Sequence, residues 1–421
     1  MSILIRQATV IDPSSPFHLQ TVDLFIEKGI IRAVGPQLSQ SSEREITAEG
    51  LFVSPGWVDV FAHFWDPGFE YKETLETGTR AAAAGGYTDV LILPNTTPTL
   101  QNKAAVEYIV QRSKTLPVTI HPIAAITKNG EGKELTEMYD MNTSGAKAFS
   151  DGTCCVQSSG LLLKALQYLK AINKIIIQLP DDRAIQPNGL MHEGIFSTQL
   201  GLPGKPALSE ELIIARDIDL VRYTESSIHF TGISTAKSVR LIQQAKEEGL
   251  PVTCSVTPYH LTFCDADLRD YDTNLKVNPP LRTAEDRLVL RDAVLEGTID
   301  CIATHHLPQD IDNKITDFEH AQYGMIGLQT SFAVVATILP QITPERIVEL
   351  FANNPRAIFG LDLPVINKNK PAHLTLFSMN KEWRFTEDQI LSKSRNTPYA
   401  GSTFRGKPYG IINKEQVILN L

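Results

Sequence analysis

Cysteine is scarce in this chain, with five among 421 residues, and that scarcity excludes a disulfide framework. Cys154 and Cys155 are neighbours, while Cys254, Cys264 and Cys301 are scattered. A reducing, cytoplasmic setting is the expectation. No apolar run reaches membrane-spanning length, and the opening Met1-Ser-Ile-Leu-Ile-Arg6 is charged too early for a secretory signal. Runs of lysine and arginine are missing too. With a net charge of −9, sequence-independent nucleic-acid binding is excluded, because it needs clustered cations. There is no heptad repeat. What is present is a 42% hydrophobic composition, enough for one large domain and a smaller one. A homo-oligomer is compatible with these numbers.

The two ends of the chain are β-rich. Residues 3–11, 23–27, 30–34 and 45–53 form short β runs divided by turn signals at Lys28-Gly29 and Glu49-Gly50. Residues 373–377, 405–413 and 416–421 repeat that texture. A small β-sandwich domain built from 1–52 and 372–421 is expected. Between them, apolar β runs alternate with helical stretches. The strands are expected at 51–60, 88–93, 118–125, 146–149, 174–178, 227–230, 252–256 and 298–303. Helices are expected at 74–84, 105–113, 160–171, 210–224 and 236–248. Eight β–α units over 53–371 predict an α/β fold, a (β/α)8 TIM-like barrel, whose chemistry sits where strands end.

The first strand end is Phe61-Ala-His63-Phe-Trp65-Asp66. In an extended strand, alternate residues share a side, so 61 and 63 would present a pair. His63 can ligate a metal and Phe61 cannot. Asn95 closes the second strand and either bonds a substrate or caps a turn. Asp151, before Gly152, is either a metal-binding carboxylate or an Asx turn. Gln178 ends the fifth strand and is a poor zinc ligand. His229 lies inside the sixth run and reads as a packing histidine, while Gly232 beyond it offers no side chain. Asn278 lies in Lys276-Val-Asn-Pro-Pro-Leu-Arg282. His305 and His306 follow strand eight, with Gln309 beyond, and in an extended strand only one of the two histidines would point inward. Met191-His192-Glu193-Gly194 reads as loop.

Several motifs in order then give a resemblance. They include Pro55-Gly-Trp-Val-Asp-Val60, His63-Phe-Trp-Asp-Pro-Gly68, Leu93-Pro-Asn-Thr-Thr-Pro98, Ala148-Phe-Ser-Asp-Gly152, Leu200-Gly-Leu-Pro-Gly-Lys-Pro206, Thr257-Pro-Tyr-His-Leu261 and Asn396-Thr-Pro-Tyr399. Over nearly its whole length the chain resembles the dihydroorotase family of the amidohydrolase superfamily, in its long-chain bacterial form. The resemblance implies a zinc-bound hydroxide that attacks a cyclic amide and an Asp after strand eight that carries the proton. It also implies which positions should hold the machinery. The family's two strand-one histidines fall on Phe61 and His63, and its carboxylate-gripping Arg falls on Trp65. The strand-four metal carboxylate is kept as Asp151. The strand-five and strand-six histidines fall on Gln178 and Gly232. The strand-eight Asp falls on His305, and a further histidine of that motif on Gln309. Asn95 and Asn278 survive as remnants of the substrate contacts.

Of the six metal positions only His63 and Asp151 match, whereas zinc needs three or four protein ligands. The metal, the carboxylate clamp and the proton carrier act as a unit, and all three are altered. Phe61, Trp65, Leu179 and Leu307 are expected to fill and dry the cavity. The expectation is a dihydroorotase-like protein with a dismantled site and no cofactor. Through the resemblance, it would serve as a structural partner of aspartate carbamoyltransferase in pyrimidine biosynthesis. The alternative is an active cyclic amidohydrolase, converting dihydroorotate to N-carbamoyl-aspartate, with one zinc ion on a rewired set of His63, Asp151 and His305.

Overall fold

The run at 51–60 reads as one barrel strand but folds as parts of two. In the structure, a computed structural model that describes residues 1–420, Phe52–Pro55 belongs to the terminal sheet and Trp57–Ala62 to the barrel. Gly56 is the crossing point. A Cβ there would lie 2.1 Å from Thr88 Oγ1 and 2.7 Å from the His373 ring. Only a residue without a side chain lets the two sheets approach so closely.

The terminal sheet runs in the order Gln416–Leu419, Thr403–Asn413, His373–Arg384, Phe52–Pro55, Ser2–Val10, Thr21–Glu27, Ile30–Gly35. Arg44–Ile46 pairs alongside Ser2–Val10. Phe52–Pro55 joins the halves, antiparallel to the C-terminal strand and parallel to the N-terminal one. Alternating apolar residues of both ends, among them Ile3, Ile5, Leu24, Val53, Leu374 and Leu376, form a core of their own. A sandwich-like domain thus forms from both termini.

Eight parallel strands make the barrel in chain order: Trp57–Ala62, Tyr87–Ile92, Thr119–Ala124, Ala148–Phe149, Ile176–Gln178, Ile228–Phe230, Val252–Val256 and Cys301–Ile302. The seam between the first and eighth is closed by a side chain. Buried Asp59 accepts from Thr304 N (2.7 Å) and Thr304 Oγ1 (2.9 Å), and His63 N donates to His306 O at 2.8 Å. The eighth strand is shorter than the expected 298–303. Ile299 N bonds back to Ala293 O at the preceding helix, and Asp300 N is the first to reach strand seven, at Cys254 O.

Helices Leu75–Ala84, Lys103–Ser113, Ser159–Ala171, Leu208–Thr224 and Ala236–Glu247 lie where the helical periodicity places them. Four start on side-chain caps, from Thr74, Asn102, Ser158 and Thr235. Met191–His192 is not loop. It pairs in parallel with Gly204–Lys205 as a two-stranded ribbon, which supplies backbone partners in a Gly/Pro-rich stretch that could not continue a helix. No helix among the described residues is long and apolar enough to cross a membrane.

Sheet and barrel are held together by one buried carboxylate. Asp89 Oδ2 accepts from Arg356 Nη2 at 2.6 Å and pairs with His373 Nε2 at 2.6 Å, while Oδ1 meets His121 Nε2 at 2.8 Å. Arg356 also donates to Gly56 O (2.7 and 3.1 Å) and Asp362 O (2.9 Å). Burial alone would push the Asp89 carboxyl up. The charges of His373 and Arg356 and the imidazole hydrogen bonds carry it well below the usual carboxylate range. Arg356→Met would strand a buried charge, and a loss of about 3–5 kcal/mol is expected. Urea unfolding of the variant against the parent measures it. A loss under about 1 kcal/mol, the scale of an exposed pair, would mean that Asp89 does not depend on Arg356.

Candidate functional site at the barrel mouth

His63 projects from the end of strand one into the barrel mouth, 1% exposed, and neither ring nitrogen meets a protein donor or acceptor. It packs against an aromatic neighbour. The ring stacks on Trp65 with centroids 3.7 Å apart and planes 21° apart. Burial, then the charges of Lys72 and His306, hold the imidazole down to about 3, so it is neutral at ordinary pH.

Trp65 has a left-handed backbone, φ 59°, and its indole N–H donates to Pro308 O at 2.8 Å. The Lys72 ammonium lies 4.4 Å from the indole ring and donates to Gln309 Oε1 at 2.9 Å. Gln309 passes the connection on, Nε2 donating to Tyr323 O at 2.8 Å. Trp65, Lys72 and Gln309 therefore form a cation–π and hydrogen-bonded strap across the mouth.

Asp151 is tied down elsewhere. Its oxygens accept from Thr127 N (2.9 Å) and Thr127 Oγ1 (2.7 Å). Burial raises its carboxyl pKa, and the Thr127 hydrogen bonds oppose that rise. Asn95 is also engaged: Nδ2 donates to Asp151 O at 3.0 Å and Oδ1 accepts from Thr153 N at 3.1 Å. It braces the strand-four loop. Gln178 Nε2 donates to Asp217 Oδ2 at 3.2 Å. Asp217 is pushed up to about 6 by burial, against the pull of Arg216.

His305 occupies the centre. Its ring lies 4.6 Å from that of Phe61, and Nε2 pairs with Thr231 Oγ1 at 2.7 Å. Burial, with His260 and His229 nearby, lowers it to about 3. A Cβ added at Gly232 would fall 2.5 Å from His305 Cε1 and 3.2 Å from Leu179 Cδ1. The imidazole therefore stands in the space that a side chain at 232 would enter. His306 turns away: Nδ1 accepts from Gly327 N (3.2 Å) and Nε2 meets Glu73 at 3.3 Å. His305 has φ 45°, so the pair departs from simple strand alternation, yet one histidine does face inward. His229 is a packing histidine, bonded to Thr253 and Ser255 at 2.9 and 3.0 Å.

Phe61 and Leu179 join Val58, Leu91, Ile123 and Ile177 in the barrel's interior cluster. Beneath the mouth they leave a space of about 30 Å³, lined also by His305 and Leu307. By itself it has room for little more than water, and it shares Thr153, Leu179, Asn278 and Leu307 with the larger cavity outside it. Outside this plug lies a cavity of about 500 Å³ bordered by Trp65, Asp181, Lys205, Asn278 and Gln309. Lys205 Nζ pairs with Asp181 at 2.6 Å and donates to Asn278 Oδ1 at 3.3 Å.

A family model described as Dihydro-orotase-like matches residues 50–238. The chain is 39% identical over 422 aligned residues to a dihydroorotase of Pelotomaculum thermopropionicum, covering all of this chain and 99% of that protein. The chain belongs to the dihydroorotase family. A dihydroorotase of Geobacter metallireducens is 38% identical, with 96% of each chain covered. Among solved structures, L-hydantoinase from Arthrobacter aurescens superposes with a TM-score of 0.83 over 99% of this chain and 96% of its own, at 22% identity. A D-hydantoinase gives 0.82 at 18%. At those identities the likeness is one of fold.

The zinc implied by dihydroorotase family membership does not fit these residues. His63, Asp151 and His305 are not brought together as donors, and among the described residues no group of three His, Cys, Asp or Glu side chains is placed to hold a metal ion. Of the other family positions, Phe61 packs, Gln178 serves Asp217, and Gly232 is covered. The sequence reading missed Thr127 and Asp217, which engage Asp151 and Gln178, because both partners are distant along the chain. Lys205 stands there only as a letter of the motif Leu200–Pro206, and a lysine in a Gly/Pro-rich stretch beside a barrel mouth was the available signal for it.

An imidazole with two buried, unpaired nitrogens is destabilising. His63→Phe keeps the stack on Trp65 and should raise stability by about 1–3 kcal/mol. In the unfolded chain the imidazole protonates near pH 6.5 (roughly its free value), whereas folded His63 resists to about 3. Its contribution is therefore whole above the unfolded value and is lost as pH falls toward the folded one. The advantage of the phenylalanine variant should widen as pH drops through that window. Urea unfolding at neutral and mildly acid pH checks this. A less stable variant would mean that His63 has a bonding partner.

Proposed function

We propose that this chain is a catalytically inactive dihydroorotase homologue of pyrimidine biosynthesis, acting in the cytoplasm as a structural partner of aspartate carbamoyltransferase. The observation that carries the reading is His305 seated over Gly232 against Phe61. Three positions of the family's metal site are there converted into one packed contact. Zinc chemistry needs an open coordination position and at least three donors. A contact between a neutral imidazole, a phenyl ring and a glycine backbone supplies neither.

The same replacements support a scaffold. The strap of Trp65, Lys72 and Gln309 and the interior cluster with Phe61 and Leu179 stabilise the barrel by burial and stacking. The fold is kept while the reacting groups are gone, and an interface is the simplest reason for a barrel to be kept in that way. The conserved architecture would then present loops and helices of fixed shape to the transcarbamoylase.

Two measurements test this. Purified protein with added zinc should hydrolyse dihydroorotate no faster than background, followed by ultraviolet absorbance. Mixed with the aspartate carbamoyltransferase of the same cell, it should co-elute as a larger species on size exclusion. Turnover abolished by His63→Ala or Asp151→Ala would establish a rewired metal enzyme instead. A transcarbamoylase that elutes unchanged would sink the partnership.

A further inference from the structure

At the end of the barrel opposite the mouth, a pocket of about 600 Å³ opens between the barrel and the terminal sheet. Its walls come from four segments: the end of the helix Lys103–Ser113, the start of strand three at Thr119, the turn before strand four, and the hairpin Asn413–Gln416. Val110, Leu116 and Ile120 make an apolar floor, and Lys114, Lys147 and Lys414 stand around it.

Those lysines lack acidic partners. Ion-paired lysines among the described residues are Lys103, Lys128, Lys133, Lys170, Lys205, Lys237 and Lys246. Lys114 reaches only the Gln111 amide, at 2.7 Å. Lys174 stands close enough to Lys147 that its pKa is lowered by burial and then by that second ammonium. Like charges gathered without counter-ions are unfavourable unless something anionic is bound. In a chain of net charge −9 the concentration is local. One carboxylate, Glu415, shares the pocket lining with the three lysines, which leaves the rim net positive. Asp89 lies behind His121 and is already matched by Arg356 and His373. Glu415 is exposed on the hairpin.

A second observation lies deeper. Asn413 is buried and lines the pocket. Its Nδ2 donates to Pro117 O at 3.0 Å, while its Oδ1 has no protein donor. A buried acceptor of this kind asks for a hydroxyl or amine from whatever enters. The pocket thus offers cations at its rim, an apolar floor and an unpaired acceptor within, in a volume typical of small-molecule sites.

From this geometry we infer that the pocket binds a small organic phosphate of sugar-phosphate or nucleotide size, its phosphate among Lys114, Lys147 and Lys414 and a hydroxyl or amine of its body on Asn413 Oδ1. The inference is independent of activity at the mouth. Neither a folded membrane surface nor a nucleic acid strand would fit, because the lysines surround a recess instead of forming a face.

Isothermal titration of the full-length protein at low salt, with ribose 5-phosphate, ATP and inorganic phosphate as probes, tests it. Ribose 5-phosphate or ATP should bind saturably and more tightly than inorganic phosphate, and added salt should weaken the binding. The double variant Lys147→Glu/Lys414→Glu should bind roughly tenfold more weakly or worse. Its own melting temperature, measured without ligand, reports whether it folds. A second variant, Val110→Trp, blocks the floor without changing charge and should also abolish binding. No saturable heat with any probe, or affinity unchanged in both folded variants, would overturn the assignment. Inorganic phosphate binding as tightly as the organic phosphates would overturn the role given to Asn413.

Discussion

A single buried carboxylate, Asp89, sets the relation between the two halves of this molecule. It sits at the start of strand two and is met by Arg356 from the last barrel helix, His373 from the C-terminal strand and His121 from strand three. Its charge is tolerable in the interior only because those partners converge on it. Arg356, in turn, holds the Gly56 carbonyl at the point where the chain leaves one sheet for the other. The barrel's first strand therefore starts from a fixed position. From that origin follow the direction of Trp57–Ala62 and the placing of Phe61, His63 and Trp65 at the mouth.

At the mouth, the positions that the family resemblance marks are each held by a packing solution of a different kind. His63 stacks on the Trp65 indole, and Phe61 lies against the His305 ring. Trp65 and Gln309 are joined through Lys72. Gln178 found a buried acid in Asp217. Among the described residues of the mouth, His63 and Asp181 keep unmatched polar atoms. Such local repair is what a close-packed interior demands, since neither a void nor an orphaned charge is cheap.

Much of this was legible in the chain. The helical stretches at 74–84, 105–113, 160–171, 210–224 and 236–248 were legible from their periodicity. The barrel strands stood out through apolar runs, and the departures at 61, 65, 178, 232, 305 and 309 through motif positions. What was not legible depends on contacts between distant residues. Nothing local says that Asp151 bonds Thr127, that Asn95 braces the loop of Asp151, or that 52–55 and 57–62 divide at Gly56. The ribbon at Met191–His192 was invisible because two residues of strand carry no period.

The contact between His305 and Gly232 also couples what each position can hold. A side chain at 232 cannot be introduced while the imidazole stands there, since its first carbon would fall 2.5 Å from the ring. The backbone at 232, with φ at 65°, adds a conformational obstacle to any residue but glycine. Position 305 would have to shrink or move first, and that step alone would open a void beside Phe61. A single change at 232 or 305 is thus less stable than the present pair, and the two positions behave as one unit whose substitutions are not additive.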